Sequence, residues 1–332
     1  MSTTDAFSQK TDVNHVEWKT AAQLQNPDGS LSLGFAGAIN GVSNDVLLVT
    51  GGANFPDKMP WEGGKKSYSK TIHLLEKCGD KYSWIKVVKT ELPESIAYCG
   101  TTTTDLGVVY VGGENENGLS NKSYILKWNA AKKEVEIKSL PNFPFAIANI
   151  ALTQIDNVVY AVGGDEATKS SDYFASLDLN DTNSEWKALP KLPLALANSV
   201  VIAQKGQNGI GIYVVGGRTK TASGISDLHH TTFVFDVKTQ QWKNAAAISD
   251  GKNTTNFSAG AGVAVGKHSI VIVGGDNGAI FHQIETYLSQ IAQAESPEQK
   301  TELIAKKNKL VTNHPGFYSG ILLYNTLTDQ WK

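Results

Sequence analysis

The residues best suited to chemistry follow five diglycines or open the strands beside them. After the diglycines come Asn54, Glu114 with Asn115, Asp165 with Glu166, Arg218, and Asp276 with Asn277; Tyr98, Asn149 and Asn198 precede strand-like runs. Carboxylates move protons when held within hydrogen-bond reach of a reacting group. Amides and a tyrosine can address sugar hydroxyls, and a guanidinium can grip a carboxylate with a planar fork that lysine lacks. Glu114 and Asp165 are therefore the candidate acid/base residues. Arg218, Asn54, Tyr98, Asn149, Asn198, Asp276 and Asn277 are the candidate substrate-binding residues. Arg218 is the one arginine among 30 basic side chains. Each lone Asp or Asn also has an ordinary alternative as a turn residue, and Lys65 and Lys66 read as solvated loop charges.

These residues need a scaffold that repeats. The second glycines of the five pairs, Gly52, Gly113, Gly164, Gly217 and Gly275, are spaced by 61 (113 − 52), 51 (164 − 113), 53 (217 − 164) and 58 (275 − 217) residues. An aliphatic strand precedes each, as in VVYVGG, GIYVVGG and SIVIVGG, and Trp84, Trp186, Trp242 and Trp331 follow, with Val135 in the second repeat. A period near fifty with strand punctuation means an array of small sheets, a β-propeller. The glycines mark turns in crowded places. Repeat four carries a polar hairpin, KGQNG, between its first two strands.

Residues 1–15 read as a polar, disordered N-terminus and 16–332 as the propeller. VEWKTAAQL, from Val16 to Leu24, resembles the strands SEWKALPKL and QQWKNAAAI that end other repeats. Terminal strands thus number six against five diglycine units. The expected plan is a six-bladed, all-β propeller with one blade incomplete and the Trp18 strand beside the gap. Residues 279–315 interrupt the fifth repeat as a helical hairpin. Ile284, Leu288 and Ile291 recur at helical spacing and are expected to face the propeller. Ser296-Pro297-Glu298-Gln299 reads as a capping box opening the second helix. The hairpin is either a lid over one mouth or a pair packed on the rim.

The net charge of −2 gives no reason to expect nucleic acid or an anionic membrane as partner. There is no apolar run of membrane-spanning length and no visible signal peptide, so the expectation is cytoplasmic. Cys78 and Cys99 lie in different repeats and read as reduced core filler. No metal-spaced histidine pair, phosphate loop or sialidase-type Asp box is found, and no cofactor is expected; a protein partner is an open option.

Four segments carry a family resemblance: PDGSLSLGFAGAINGVSND (27–45), GGANFPDKMPWEGGKKSYSKTIHL (51–74), VVYVGGENENGLSNKSYIL (108–126) and the insertion after GGDNGAIF (274–281). The chain resembles Kelch-type propellers, and more closely the N-acetylneuraminate epimerase (sialic acid mutarotase) family, in the cyclically permuted order of one of its groups. The resemblance implies a six-bladed propeller that interconverts the α and β anomers of free sialic acid. Some relatives are periplasmic. The Gly-Glu-bearing segment that holds the family's acid/base glutamate is not found here, and Ile96 and Leu196 stand where some members carry arginine. The alternative function is a non-catalytic Kelch module that binds a protein or a sugar. Arg218 is expected to point to the central cavity, near Glu114 or Asp165, and to hold the sugar's carboxylate.

Overall fold

The computed structural model describes residues 13, 16–26, 28–86 and 88–332. The frayed terminus expected for residues 1–15 lies outside the described residues apart from residue 13. Five four-stranded antiparallel sheets follow one another along the chain. Their innermost strands are Ile39–Ser43, Gly100–Thr104, Ala151–Ile155, Val200–Gly206 and Ser258–Val265. These five line a central channel of about 830 Å³, ample for a monosaccharide by the usual size of ligand pockets. The second strand of each blade is the apolar run read from the sequence, and in Gly107–Val111 every residue is buried. Apolar side chains of adjacent blades form shared cores, such as Ile39, Leu48 and Leu74 of blade 1 with Val108, Tyr110 and Leu126 of blade 2.

The diglycines do two jobs. The first glycines have φ between 60° and 69°, the left-handed region that side-chain-bearing residues avoid. The second glycine of blades 1 to 4 donates its N–H to a carbonyl leading into the next blade: Gly52 to Ile96, Gly113 to Ile147, Gly164 to Leu196 and Gly217 to Phe257. A methyl group on the first glycine of these blades would press on that same carbonyl. The side chains of Ile96 and Leu196 are each 1% exposed. They fill the inter-blade cores.

The tryptophans give a second inter-blade lock. Trp186, Trp242 and Trp331 donate their indole N–H to Pro141, Pro190 and Ala246, each just beyond the previous blade's outer strand, at 2.8–3.0 Å. Trp84 does the same to Gln23 at 2.9 Å. The segment after Trp18 therefore holds, against blade 1, the place that a preceding blade's end holds elsewhere. It is not the strand expected from its sequence: among the described residues, 16–24 pair with no strand, and Trp18 is 70% exposed. A strand needs a neighbouring backbone along its length; among the described residues another backbone meets the segment only at its end, where Ser32 N donates to Leu24 O at 3.0 Å.

The five sheets form an arc. Inner strands pack blade 1 on 2, 2 on 3, 3 on 4 and 4 on 5, and among the described residues blade 5 makes no comparable contact with blade 1. Gly274, the first glycine of blade 5, would meet nothing within 4 Å. The blade 5 face turned away from blade 4 carries Ala261, Val263, Val273 and Ile321, and Val263 is 55% exposed. A six-bladed plan with five finished sheets accounts for all three observations.

The insertion is helical as expected: α1 spans Ala279–Ala292 and α2 spans Pro297–Thr312. Ser296 caps α2 by accepting the N–H of Gln299 at 3.1 Å. In the reciprocal bond, Gln299 Oε1 accepts from the N–H of Glu295 rather than that of Ser296, one residue off a strict capping box. The expected docking face is corrected. Leu288 is 49% exposed, and α1 meets the propeller through Phe281, Glu285 and Ser289. Cys78 is exposed rather than core filler, while Cys99 packs against the first core.

Candidate functional site

A belt of backbone hydrogen bonds runs from blade 1 to blade 5 along one mouth of the channel. Tyr98 N donates to Gly37 O, Asn149 N to Tyr98 O, Asn198 N to Asn149 O and Ala259 N to Asn198 O. All five belt residues have φ between 53° and 62°. That is tolerable for glycine and asparagine and costly for tyrosine and alanine. Such strain persists where surrounding structure imposes it, often at functional sites. In blades 1 to 4 the belt residue directly follows an alanine, and in blades 2, 3 and 4 that alanine bridges to Glu114, Asp165 and Arg218; in blade 5, Ala259 follows Ser258. The belt and the diglycines thus set three candidate side chains, Glu114, Asp165 and Arg218, at equivalent positions of successive blades.

Asp165 is the most enclosed of them. Its Oδ2 receives Arg218 Nη2 at 2.6 Å and Asn149 Nδ2 at 3.0 Å, and its Oδ1 receives the Ser170 hydroxyl at 3.0 Å. The two charged side chains are 11% and 5% exposed for Arg218 and Asp165. With three donors on it, Asp165 is a brace for Arg218 rather than a free acid/base. The guanidinium lies 5.9 Å from the ring centroid of Phe281 on α1. Arg218 Nε is buried with no protein partner, and Nη1 makes no hydrogen bond among the described residues. Half of the expected carboxylate fork is thus already spent on Asp165.

Glu114 has a different setting. Its Oε1 receives the Tyr68 hydroxyl at 3.0 Å and Lys66 Nζ at 3.2 Å, and Oε2 makes no hydrogen bond among the described residues. Tyr68 comes from the short strand Ser67–Tyr68, paired with Ala53–Asn54 just after the first diglycine. Lys66 Nζ also lies over the Tyr98 ring, 4.9 Å from its centroid. Burial would push the lysine's pKa down, but Tyr98 and Glu114 outweigh it and hold the ammonium charged. Burial, then the hydrogen bond to Glu114, raises the Tyr68 hydroxyl above its ordinary range. The carboxylate therefore carries two protonated donors on one oxygen and keeps the other free. Lys66 is no solvated loop charge; its side chain is 35% exposed and paired. Sequence reasoning passed over Tyr68, though KKSYS sits where a short strand would return to the diglycine.

The remaining candidates divide. Asn198 stands on the belt and lines the channel, and its side-chain amide makes no protein hydrogen bond among the described residues. Asn54 and Asn115 donate to Gly34 O and Ser95 O, and the Thr219 hydroxyl donates to Ala195 O. These second positions after a diglycine point away from the channel and staple the linkers, as strand alternation requires. Since Thr219 gives its only proton to Ala195, His229 Nε2, 2.8 Å away, is the donor to it. Asp276 and Asn277 accept from the N–H groups of Gly278 and Ala279 and shape the turn into α1. Glu166 pairs with Lys169 at 3.5 Å. Among the described residues no cluster of His, Cys, Asp and Glu could hold a metal. Among the described residues no helix is long and apolar enough to cross a membrane.

Blades of this pattern around a polar mouth define a Kelch-like β-propeller. Comparison with known proteins gives the family: the chain belongs to the N-acetylneuraminate epimerase family, whose model matches residues 1–137 and 140–332. An N-acetylneuraminate epimerase of Vibrio cholerae serotype O1 is 39% identical over 129 residues, 36% of this chain and 32% of the relative. One from Haemophilus influenzae is 34% identical over 142 residues, 41% of this chain and 37% of the relative. The matched stretches thus cover about a third of these relatives' length. The solved structure of YjhT superposes with a TM-score of 0.60 at 13% identity, over 80% of this chain and 83% of that one, which supports the fold.

Proposed function

We propose that the protein interconverts the anomers of N-acetylneuraminate by acid/base ring opening at the belted mouth. Mutarotation removes the proton of the anomeric hydroxyl and protonates the ring oxygen. The open-chain ketone turns, and reclosure returns both protons. Glu114 Oε2 is the base in this reading, Lys66 the proton source beside it, and Tyr68 the donor that fixes the carboxylate. Arg218 Nη1 takes the sugar's carboxylate, with Tyr98, Asn149 and Asn198 around the ring. The observation that carries the reading, within a chain of the epimerase family, is Glu114 with one oxygen saturated by two donors and the other free.

Variants separate binding from chemistry. Glu114→Gln should retain N-acetylneuraminate affinity within a few-fold and lose most of the anomer exchange; general acid–base groups are worth roughly 10²–10⁴-fold. Arg218→Lys should weaken binding roughly tenfold or more, and Arg218→Ala further, since hydrogen bonds to charged partners contribute about 1.5–3 kcal/mol. Binding with no exchange in the wild type would instead make the mouth a sugar-binding module.

A further inference from the structure

The helical insertion touches the candidate site through one aromatic ring, and a separate polar latch holds that ring in place. Glu285 on α1 accepts from Ser226 of blade 4 twice: Oε2 from the backbone N–H at 2.7 Å and Oε1 from the hydroxyl at 2.9 Å. Ser226 is 2% exposed, so water competes weakly for these bonds. Ser289 adds a bond from its hydroxyl to Ser223 O at 3.3 Å. Phe281, Glu285 and Ser289 are spaced by four and share one helix face. At the start of the helix, Gly278, with φ 80°, presses its backbone against Leu228. Leu228 is the strand partner of Arg218. Helix α1 therefore springs from blade 5, crosses to blade 4, and sets Phe281 on the guanidinium that Asp165 holds from another side.

We propose that Phe281, held by the Glu285–Ser226 latch, is a positioning residue for Arg218 and thereby sets the protein's preference for an acidic over a neutral sugar. The second half of this statement rests on the assignment of Arg218 to the sugar's carboxylate. An aromatic face on a guanidinium contributes electrostatically and restricts a long side chain. Here it acts where Asp165 fixes only Nη2, so the ring decides where Nη1 points. Without it Arg218 keeps its charge but loses its single orientation.

The single arginine makes the test clean. In protein labelled with ¹⁵N-arginine, one side-chain Nε–H signal exists, and it belongs to Arg218. In the wild type that proton should be ring-shifted and slow to exchange with water. Phe281→Ala and Glu285→Ala should both move it toward the free-arginine position and speed its exchange, while Phe281→Tyr restores it. An unmoved signal in both alanine variants, with native circular dichroism, overturns the positioning role whatever the function. The second arm titrates N-acetylneuraminate and a neutral N-acetylated sugar. Phe281→Ala should weaken the acidic sugar roughly three- to tenfold, leave the neutral one unchanged, and add nothing in an Arg218→Lys background. A moved signal with unchanged acidic-sugar affinity would leave Phe281 as a positioning residue but overturn its role in sugar preference and the carboxylate role of Arg218.

Discussion

Replacing Asp165 with alanine isolates the brace at the centre of the site. The pair it forms with Arg218 is 2.6 Å long with side-chain exposures of 11% and 5%, so solvent screens it little. Removing one member of such a pair leaves a charge without compensation in a site that water barely reaches, which costs about 3–5 kcal/mol. Asn149 and Ser170 lose their acceptor in the same variant, which places the expectation at the upper end. Urea unfolding of wild type, Asp165→Ala, Arg218→Met and the double variant gives the coupling directly. The double variant should recover about 2 kcal/mol or more relative to Asp165→Ala, because removing both charges removes the desolvation cost with the attraction. A cost below about 1 kcal/mol for Asp165→Ala, at an unchanged denaturant slope, would refute the claim that this pair is a buried brace.

Three further outcomes follow from particular contacts. Gly163→Ala and Gly274→Ala both force alanine to positive φ, at 62° and 66°, costing about 1–2 kcal/mol each. Only Gly163 faces a neighbouring carbonyl, that of Leu196, so thermal or urea unfolding should show it losing about 1–3 kcal/mol more. Burial lowers the pKa of His73 and of His229 below the ordinary 6.5. The unfolded chain then takes up protons first as pH falls. The contribution of each ring is constant above the unfolded value and turns destabilising as pH drops through 6.5 toward the folded one. Unfolding free energy measured against pH should fall in that window, and less steeply in His73→Gln. Lys66→Met removes one of two donors from Glu114, and its anomer exchange should drop at least tenfold with sugar affinity little changed, measured on the same samples.

Much of this architecture was legible because single residues carried unambiguous physical demands. The diglycines had to be glycine both for positive φ and for the carbonyl that crosses from the next blade, and the tryptophans recur because each indole reaches the previous blade. The belt placed Tyr98, Asn149 and Asn198 where the start of each inner strand suggested. Other features were set by distant partners. Asn54 and Asn115 looked like site residues, but strand alternation turns them to the linkers, a rule the sequence allowed but that only the register made plain. The docking face of α1 could not be read from apolar spacing, since the helix is held by Glu285 on Ser226, 59 residues away in sequence. Tyr68 and Lys66 meet Glu114 across 46 and 48 residues, with no local pattern to announce the pairing. The Trp18 segment reads as a strand, yet strandness depends on a neighbour that no local sequence supplies.

The central claim is that this mouth moves protons on an acidic sugar. Magnetisation exchange between the α and β signals of N-acetylneuraminate at equilibrium tests it most directly, because it needs no coupling enzyme and no net reaction. Wild-type protein should bring anomer exchange far above the buffer rate, in proportion to protein concentration, and Glu114→Gln should abolish it. Exchange at the buffer rate, in a sample that binds the sugar and unfolds normally, would contradict the claim.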